Sequence, residues 1–241
     1  MRTLLIATVM TCMAATAHAS GQKHFDRGLA AAEDGNHVAA IESYTDAIFS
    51  DDLSGELLSK TYNNRGLAHY RNGNHHAAVA DFDRSLTIRP GNPVALNNRG
   101  LAFRALDRDQ NAMRDFDAAL KYDPAYTRAM FNRGKLLQEL GRTRDAIEQY
   151  NELLLRDPDQ AFGYKNRGKA LRAAGRIDEA LTDFDKVVEL RPDYAYGYYY
   201  RGLTFLDLGL DSAARADIVA ASDLRPGSKM IRRAAKRIGL N

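Results

Sequence analysis

The stretch NNRGLAHYRNGNHHAAVADFDRSLTIRP, residues 63–90, decides the fold because a glycine stands where the pattern predicts a helix. Glycine inside a helix costs about 1 kcal/mol relative to alanine, so Gly66 needs a physical reason. The pair Arg65-Gly66 recurs every 34 residues, at Arg99-Gly100, Arg133-Gly134, Arg167-Gly168 and Arg201-Gly202. An earlier copy, Arg27-Gly28, lies 38 residues upstream. A fixed period of this length is typical of repeat architectures.

Other positions keep the register of these glycines. Alanine follows each glycine after 12 residues, and an aromatic residue or isoleucine follows after 16. A glycine-containing turn separates the two positions, except in one unit, where Asp107-Arg108 replaces it. Five of the six units close with proline: Pro90, Pro124, Pro158, Pro192 and Pro226. Small residues let helices approach closely, so Gly66 and Ala78 are expected to meet within one hairpin, while Phe82 fills the space toward the next.

These spacings resemble the tetratricopeptide repeat, a pair of antiparallel helices, over residues 21 to about 228. The resemblance implies an all-α, right-handed superhelical solenoid of six antiparallel helix pairs plus a C-terminal capping helix. The units are expected at about 21–58, 59–92, 93–126, 127–160, 161–194 and 195–228, with the capping helix at 229–241. The first unit lacks the proline and has four additional residues, which predicts a longer connection or an extended following helix.

Each arginine of the repeated pair has a candidate partner within its own unit. An aspartate follows 16 residues later in four units, at Asp81, Asp115, Asp183 and Asp217. Arg27 and Arg133 have Ser43 and Gln149 there instead. Pairing across neighbouring units is therefore the alternative for these two arginines.

The N-terminal residues have the layout of a cleavable signal peptide. Arg2 precedes an apolar run, residues 4–10, and a small-residue pattern ends at Ala19, which predicts cleavage of residues 1–19. The apolar run is too short for a membrane anchor, so no transmembrane segment is expected after cleavage. An uncleaved anchor and lipid attachment at Cys12 are the alternatives, although the residues before Cys12 match a lipoprotein signal poorly. The prediction is export to the periplasm or secretion.

Charge and motif content argue against several functions. The 34 basic and 31 acidic residues give a net charge of +3, so nucleic acid is not expected as a partner. No phosphate-binding loop or hydrolase motif is present, so no catalytic residue and no cofactor is predicted. His37 and His75 share a repeat position, but a metal site needs more convergent ligands. They are interpreted as polar surface residues, and an enzyme is the weakest hypothesis.

In the resembling family, the first helix of each hairpin lines a concave groove. Matching positions give 15 partner-binding candidates in this chain: Asn63, Asn64, Asn97, Asn98, Arg104, Arg128, Phe131, Asn132, Lys135, Lys165, Asn166, Lys169, Arg172, Tyr196 and Tyr199. This set is cationic in the middle and aromatic toward the C-terminus, which favours an acidic peptide with one or two apolar anchors. Alternatively, the asparagines bridge neighbouring helices and the tyrosines fill space between hairpins. The carboxylate clamp of the family is not expected, because the closest window in this chain replaces two of its five residues and lacks the first lysine.

The sequence thus predicts a non-enzymatic scaffold or adaptor that binds a segment of another protein, in the bacterial envelope. It resembles exported proteobacterial tetratricopeptide proteins. The alternative is a structural or self-associating component that acts through its ends or its convex face. The basic residues of 229–241 are interpreted as a solvated outer face, with contact to an anionic membrane or nucleic acid as the alternative.

Overall fold

In a computed structural model that describes residues 20–240, the chain forms thirteen α-helices. Helix α1 covers residues 20–33. The others are α2 (His37–Phe49), α3 (Gly55–Arg71), α4 (His75–Ile88), α5 (Pro93–Ala105), α6 (Asp109–Tyr122), α7 (Thr127–Glu139), α8 (Thr143–Arg156), α9 (Ala161–Ala173), α10 (Ile177–Leu190), α11 (Ala195–Asp207), α12 (Asp211–Leu224) and α13 (Lys229–Arg237). The predicted all-α class, with paired helices and one extra C-terminal helix, is confirmed. The predicted signal peptide lies outside the described residues.

The contact inside each hairpin explains the repeated glycine. A Cβ atom on Gly66 would lie 2.8 Å from Cε1 of Phe82 and 3.2 Å from the carbonyl oxygen of Ala78. Phe82 and Ala78 are fully buried, and both pack with Ala102 of the next hairpin. The aromatic ring therefore fills two spaces, since it covers the glycine of its own hairpin as well as the predicted gap toward the next.

The turns between paired helices require a left-handed backbone. Gly73, Gly175 and the equivalent glycines have φ between 71° and 82°, a region that glycine occupies without a steric penalty. In the α5–α6 hairpin the left-handed position belongs to Asp107, with φ of 57°. Aspartate tolerates this conformation better than most residues. The one sequence variant among the turns thus keeps the same backbone.

Four arginines of the repeated pair each hold two helices together. Each guanidinium binds both carboxylate oxygens of the aspartate sixteen residues later, with N–O distances of 2.7–2.9 Å: Arg65–Asp81, Arg99–Asp115, Arg167–Asp183 and Arg201–Asp217. Their Nη1 atoms also reach the preceding hairpin, at Thr45, Asp83, Asn151 and Asp185 respectively. Arg133 donates to Oε1 of Gln149 at 2.5 Å, so an amide replaces the carboxylate in that unit. The intra-hairpin contact therefore also exists where the sequence lacks the acid.

The four additional residues of the first unit extend a helix. Helix α3 has 17 residues, whereas the first helices of the three following hairpins have 13. Its extra turn begins after Ser54, whose side chain accepts a hydrogen bond from the backbone amide of Leu57. Of the two alternatives for this segment, the structure therefore has the extended helix.

The chain divides into two compact units after Tyr126. In the first, α3 packs against α4, α4 against α5, and α5 against α6. In the second, successive helices from α7 to α13 pack in the same way, and α13 packs on α12. Each unit thus places the first helices of its hairpins side by side, since α3 also touches α5, and α9 touches both α7 and α11.

Candidate partner-binding surface

Four predicted site residues of the first unit form a line of amide hydrogen bonds between α3 and α5. Asn98 donates from Nδ2 to Oδ1 of Asn63 at 3.1 Å, and Asn63 donates to Oδ1 of Asn64 at 3.2 Å. Asn97 donates to Oδ1 of Asn98 at 3.5 Å. Asn63 and Asn97 are buried, so this line connects neighbouring hairpins, as the structural alternative for the asparagines predicts.

Two predicted residues of the first unit remain accessible in part. Asn64 borders a pocket of about 310 Å³, together with Glu33, His37 and Arg71. It also hydrogen-bonds the phenol of Tyr44, whose pKa burial raises. Arg104 is half-buried near the end of α5. The accessible surface here combines apolar side chains, such as Leu29 and Leu67, with charges of both signs.

In the second unit, three predicted lysines form a cationic cluster on α7 and α9. Lys165 lies half-buried near Lys169, which is on the same helix, and near Lys135 on α7. Burial, together with the smaller effects of the charges on Lys169 and Lys135, lowers the pKa of Lys165 to about 8. Within residues 20–240, none of the three lysines forms an ion pair. We call these three residues the lysine cluster.

Aromatic rings lie next to the lysine cluster. The Nζ atom of Lys165 is 5.0 Å from the ring centre of Phe162 and 5.9 Å from that of Tyr194. The Nζ atom of Lys169 is 5.5 Å from the ring centre of Tyr200. Ammonium groups at such distances interact favourably with the ring face. The rings thus compensate the lysine charges in part, without neutralising them.

The predicted tyrosines of α11 differ in their surroundings. Tyr199 is buried in a cluster with Ile218 and Ile231, so it fills space between helices. Tyr196 is half-buried, and the guanidinium of Arg225 lies 5.3 Å from its ring centre. Tyr196 therefore fits a surface role, and Tyr199 fits the structural alternative.

Arg172, another predicted residue, is neutralised within the chain. Its guanidinium binds the carboxylate of Asp207 on α11 through Nε and, at 3.0 Å, through Nη2. The two residues line a pocket of about 440 Å³ with Lys169, Tyr200 and Ile177. The pocket therefore has an apolar wall and one ammonium group, Lys169, without an ion pair in the described part of the chain.

The remaining predicted residues lie around these groups. Arg128 is exposed at the start of α7, and the ring centre of Phe131 is 6.4 Å from that of Tyr150. Asn132 is half-buried on α7, and Asn166 is buried on α9. Among these four, only Arg128 presents most of its surface to solvent.

Tyr200 and Tyr194 contribute to the surface although the groove positions did not include them. A signal for Tyr200 was available, since it stands two residues before Gly202, where four other units have an asparagine. Tyr200 stacks on Phe184 with ring centres 5.7 Å apart. Tyr194 precedes α11 as its N-terminal cap, outside the helix on which the groove positions are counted.

Two features are absent from the described residues: a metal-binding cluster and a membrane-spanning helix. In residues 20–240, no three histidine, cysteine, aspartate or glutamate side chains are grouped so that they could hold a metal ion. Over the same range, no helix is both long and apolar enough to cross a membrane.

The fold and this surface define a helical-repeat protein with a cationic and aromatic face. Three tetratricopeptide repeat models match the sequence, at residues 59–92, 103–165 and 168–209. These segments make up more than half of the chain, which is therefore a tetratricopeptide repeat protein. Repeats of this kind are typically non-catalytic and bind other proteins. The chain has no match among curated proteins.

Several solved structures share the fold at low sequence identity. YrrB, described as a TPR protein with an unusual peptide-binding site, is 22% identical, with a TM-score of 0.64 over 82% of this chain and 100% of YrrB. PilF of Pseudomonas aeruginosa is 18% identical, with a TM-score of 0.71 over 76% of this chain and 84% of that protein. A chain of the APC/C hetero-tetramer Cut9–Hcn1 is 14% identical, with a TM-score of 0.77 over 91% of this chain and 43% of that one. At these identities the similarity concerns the fold alone.

Proposed function

We propose that this protein is a non-enzymatic scaffold that binds an acidic segment of a partner protein on the second unit. The observation that carries the proposal is the lysine cluster, Lys135, Lys165 and Lys169. Three ammonium groups lie near one another without an ion pair in the described residues. Elsewhere in the described chain, four half-buried arginines of the repeat and Arg172 are matched by carboxylates. The lysine cluster is therefore the place where a carboxylate of a partner would form the most favourable ion pairs.

The positive charge of Lys165 is unfavourable in the unbound protein. Burial and two like charges disfavour its protonated form. A partner carboxylate near Nζ would reverse both effects, because an opposite charge favours the protonated lysine. Charge-assisted hydrogen bonds of this kind are stronger than neutral ones. We therefore assign the acidic side chains of the partner to this cluster.

Next to the cluster, aromatic and aliphatic surface offers an apolar contact. Tyr200 and Ile177 line the pocket of about 440 Å³ that begins at Lys169. Phe162 is 40% exposed, so its ring is available on the other side of Lys165. A segment with one apolar side chain beside its acidic groups fits this arrangement, because buried apolar anchors usually supply much of the binding energy.

Two further parts of the proposal concern mechanism and place. The protein acts by holding its partner, since the tetratricopeptide class is typically non-catalytic. It works outside the cytoplasm, in the periplasm of a bacterial envelope, as the signal-peptide pattern of residues 1–19 indicates. Crosslinking of the protein in a fractionated natural host tests both the compartment and the partner.

The binding surface is tested by charge reversal. Crosslinking mass spectrometry first identifies the partner segment, and the corresponding synthetic peptide is then titrated into the purified protein. The variant K135E/K165E/K169E is expected to lose binding while it keeps its helical circular dichroism. The matched control R84E/R114E/K121E makes the same charge change on exposed residues of the first unit and is expected to bind normally. Equal binding by both variants, or an equal loss in both, would refute the assignment.

A further inference from the structure

The last helix, α13, separates its charged and apolar residues completely. Ile231 and Ala234 are buried against the core formed with α11 and α12. Five basic residues are exposed: Lys229, Arg232, Arg233, Lys236 and Arg237. At 100° per residue the first four lie on the side of the helix opposite to the buried pair, and Arg237 lies between the two sides. The helix thus uses its apolar face for packing and leaves its basic face outward.

Four of these residues form a patch without acidic neighbours. Among the described residues, only these four line a depression of about 390 Å³: Lys229, Arg232, Arg233 and Lys236. In the described part of the chain, none of the four forms an ion pair. Arg237 is set apart, since it lines a different pocket with Asp211. We call the four residues the α13 patch.

We propose that the α13 patch docks the protein on a surface of anionic phospholipids. Clusters of four to eight basic residues on an amphipathic helix attract such surfaces, with about 1 kcal/mol from each charge near the lipid. The patch meets that number on one exposed helix face. Contact is peripheral, because the apolar face of α13 is already buried in the protein and cannot enter the lipid.

Two observations favour a lipid surface over other polyanions. Met230, at the edge of the patch, is 38% exposed, and an apolar side chain next to basic ones suits the boundary between headgroups and acyl chains. The patch also includes no aromatic ring on which a nucleic-acid base could stack. This inference does not depend on the lysine cluster, which belongs to α7 and α9.

Vesicle co-sedimentation with the full chain tests the proposal. Vesicles of phosphatidylcholine with roughly one-third phosphatidylglycerol are expected to bind the protein, and binding should weaken as salt screens the charges. The variant K229Q/R232Q/R233Q/K236Q is expected to lose affinity by about tenfold or more. Its circular dichroism should stay unchanged, since the four side chains point to solvent.

A matched variant distinguishes the effect of the α13 patch on vesicle binding from the effect of net charge. K23Q/R84Q/R114Q/K121Q removes four exposed charges from other helices and is expected to bind vesicles as the unmodified protein does. K135E/K165E/K169E should also retain vesicle binding, so the lipid proposal and the peptide proposal can fail separately. The lipid proposal is wrong if neutral phosphatidylcholine vesicles bind equally well, or if both glutamine variants lose binding equally. It is also wrong if an oligonucleotide or a polyglutamate chain binds the patch while vesicles do not.

Discussion

Replacing Gly100 by alanine tests the close contact within a hairpin that explains the repeated glycine. The new Cβ atom would lie 2.7 Å from Cε1 and 3.0 Å from Cδ1 of Phe116. Phe116 is fully buried, so its ring has little room to move. Overpacking of this kind costs about 1–3 kcal/mol, whereas alanine gains about 1 kcal/mol in helix propensity. We therefore expect a net loss of about 0–2 kcal/mol in the free energy of unfolding.

Two other glycines provide the scale for this prediction. A Cβ atom on Gly55, in the same compact unit, would have only Ile88 within reach, at 4.0 Å, so G55A should stabilise by up to about 1 kcal/mol. On Gly202 the nearest atoms are Cδ1 of Ile218 at 3.1 Å and Cβ of Asp217 at 3.2 Å. This overlap is milder than the one at Gly100, so G202A should change stability by less than G100A does, by about 0.5 kcal/mol or less. Urea unfolding followed by far-UV circular dichroism measures all three. If G100A were as stable as G55A, the close-approach explanation of the period would be refuted.

Two further predictions concern the α5–α6 turn and the lysine cluster. D107G should stabilise the protein by about 0.5–1 kcal/mol, because aspartate is strained at positive φ and glycine is not. G175A at the equivalent turn should destabilise it for the same reason. Opposite shifts of the urea midpoint would confirm both expectations, and a destabilised D107G would contradict them. An NMR titration should give Lys165 a pKa of about 8, against an ordinary value of 10.5. Between pH 8 and pH 10.5 the unfolded chain holds this proton and the folded protein does not, so the free energy of unfolding should increase with pH over that range. The affinity for an acidic segment should fall over the same pH range, because Lys165 loses its charge. K169Q should raise the pKa of Lys165, because it removes a neighbouring positive charge. A pKa near 10.5 for Lys165 in the unmodified protein would contradict these expectations.

The architecture was predictable because the constraint repeats. One glycine facing one ring is weak evidence for a hairpin, but the same pair in successive units fixes both helices and the turn between them. The turn variant at Asp107 was recognisable for the same reason, since its neighbours define which backbone it must adopt. In contrast, sequence could not decide where the four additional residues of the first unit lie. A longer loop and a longer helix satisfy the same period, and the Ser54 cap favours the helix.

The candidate site was less predictable because groove positions were transferred by register alone. Register identifies the helix face but not the neighbours of each side chain. Asn63 and Asn97 lie on the expected helices, yet the side chains are buried in a line of amide hydrogen bonds. Tyr199 likewise packs in the interior. Whether such a side chain is buried depends on the neighbouring hairpin, which must offer a hydrogen-bond or packing partner. The repeat positions within one unit do not show whether that partner exists.

Arg172 shows how such pairing changes the chemistry assigned to the surface. Counted from the sequence, it adds a fifth cation to Arg128 and the three lysines of the second unit. In the structure, Asp207 lies 35 residues further along the chain, one residue more than a full repeat, and binds the Arg172 guanidinium from α11, the first helix of the next hairpin. The positive charge left for a partner is therefore concentrated on Lys135, Lys165 and Lys169. An arginine side chain could bind a carboxylate in a fixed bidentate geometry, whereas lysines act as compact and mobile charges. The surface should accordingly tolerate variation in the exact position of the partner's acidic groups, with Tyr200 and Ile177 selecting the apolar side chain beside them.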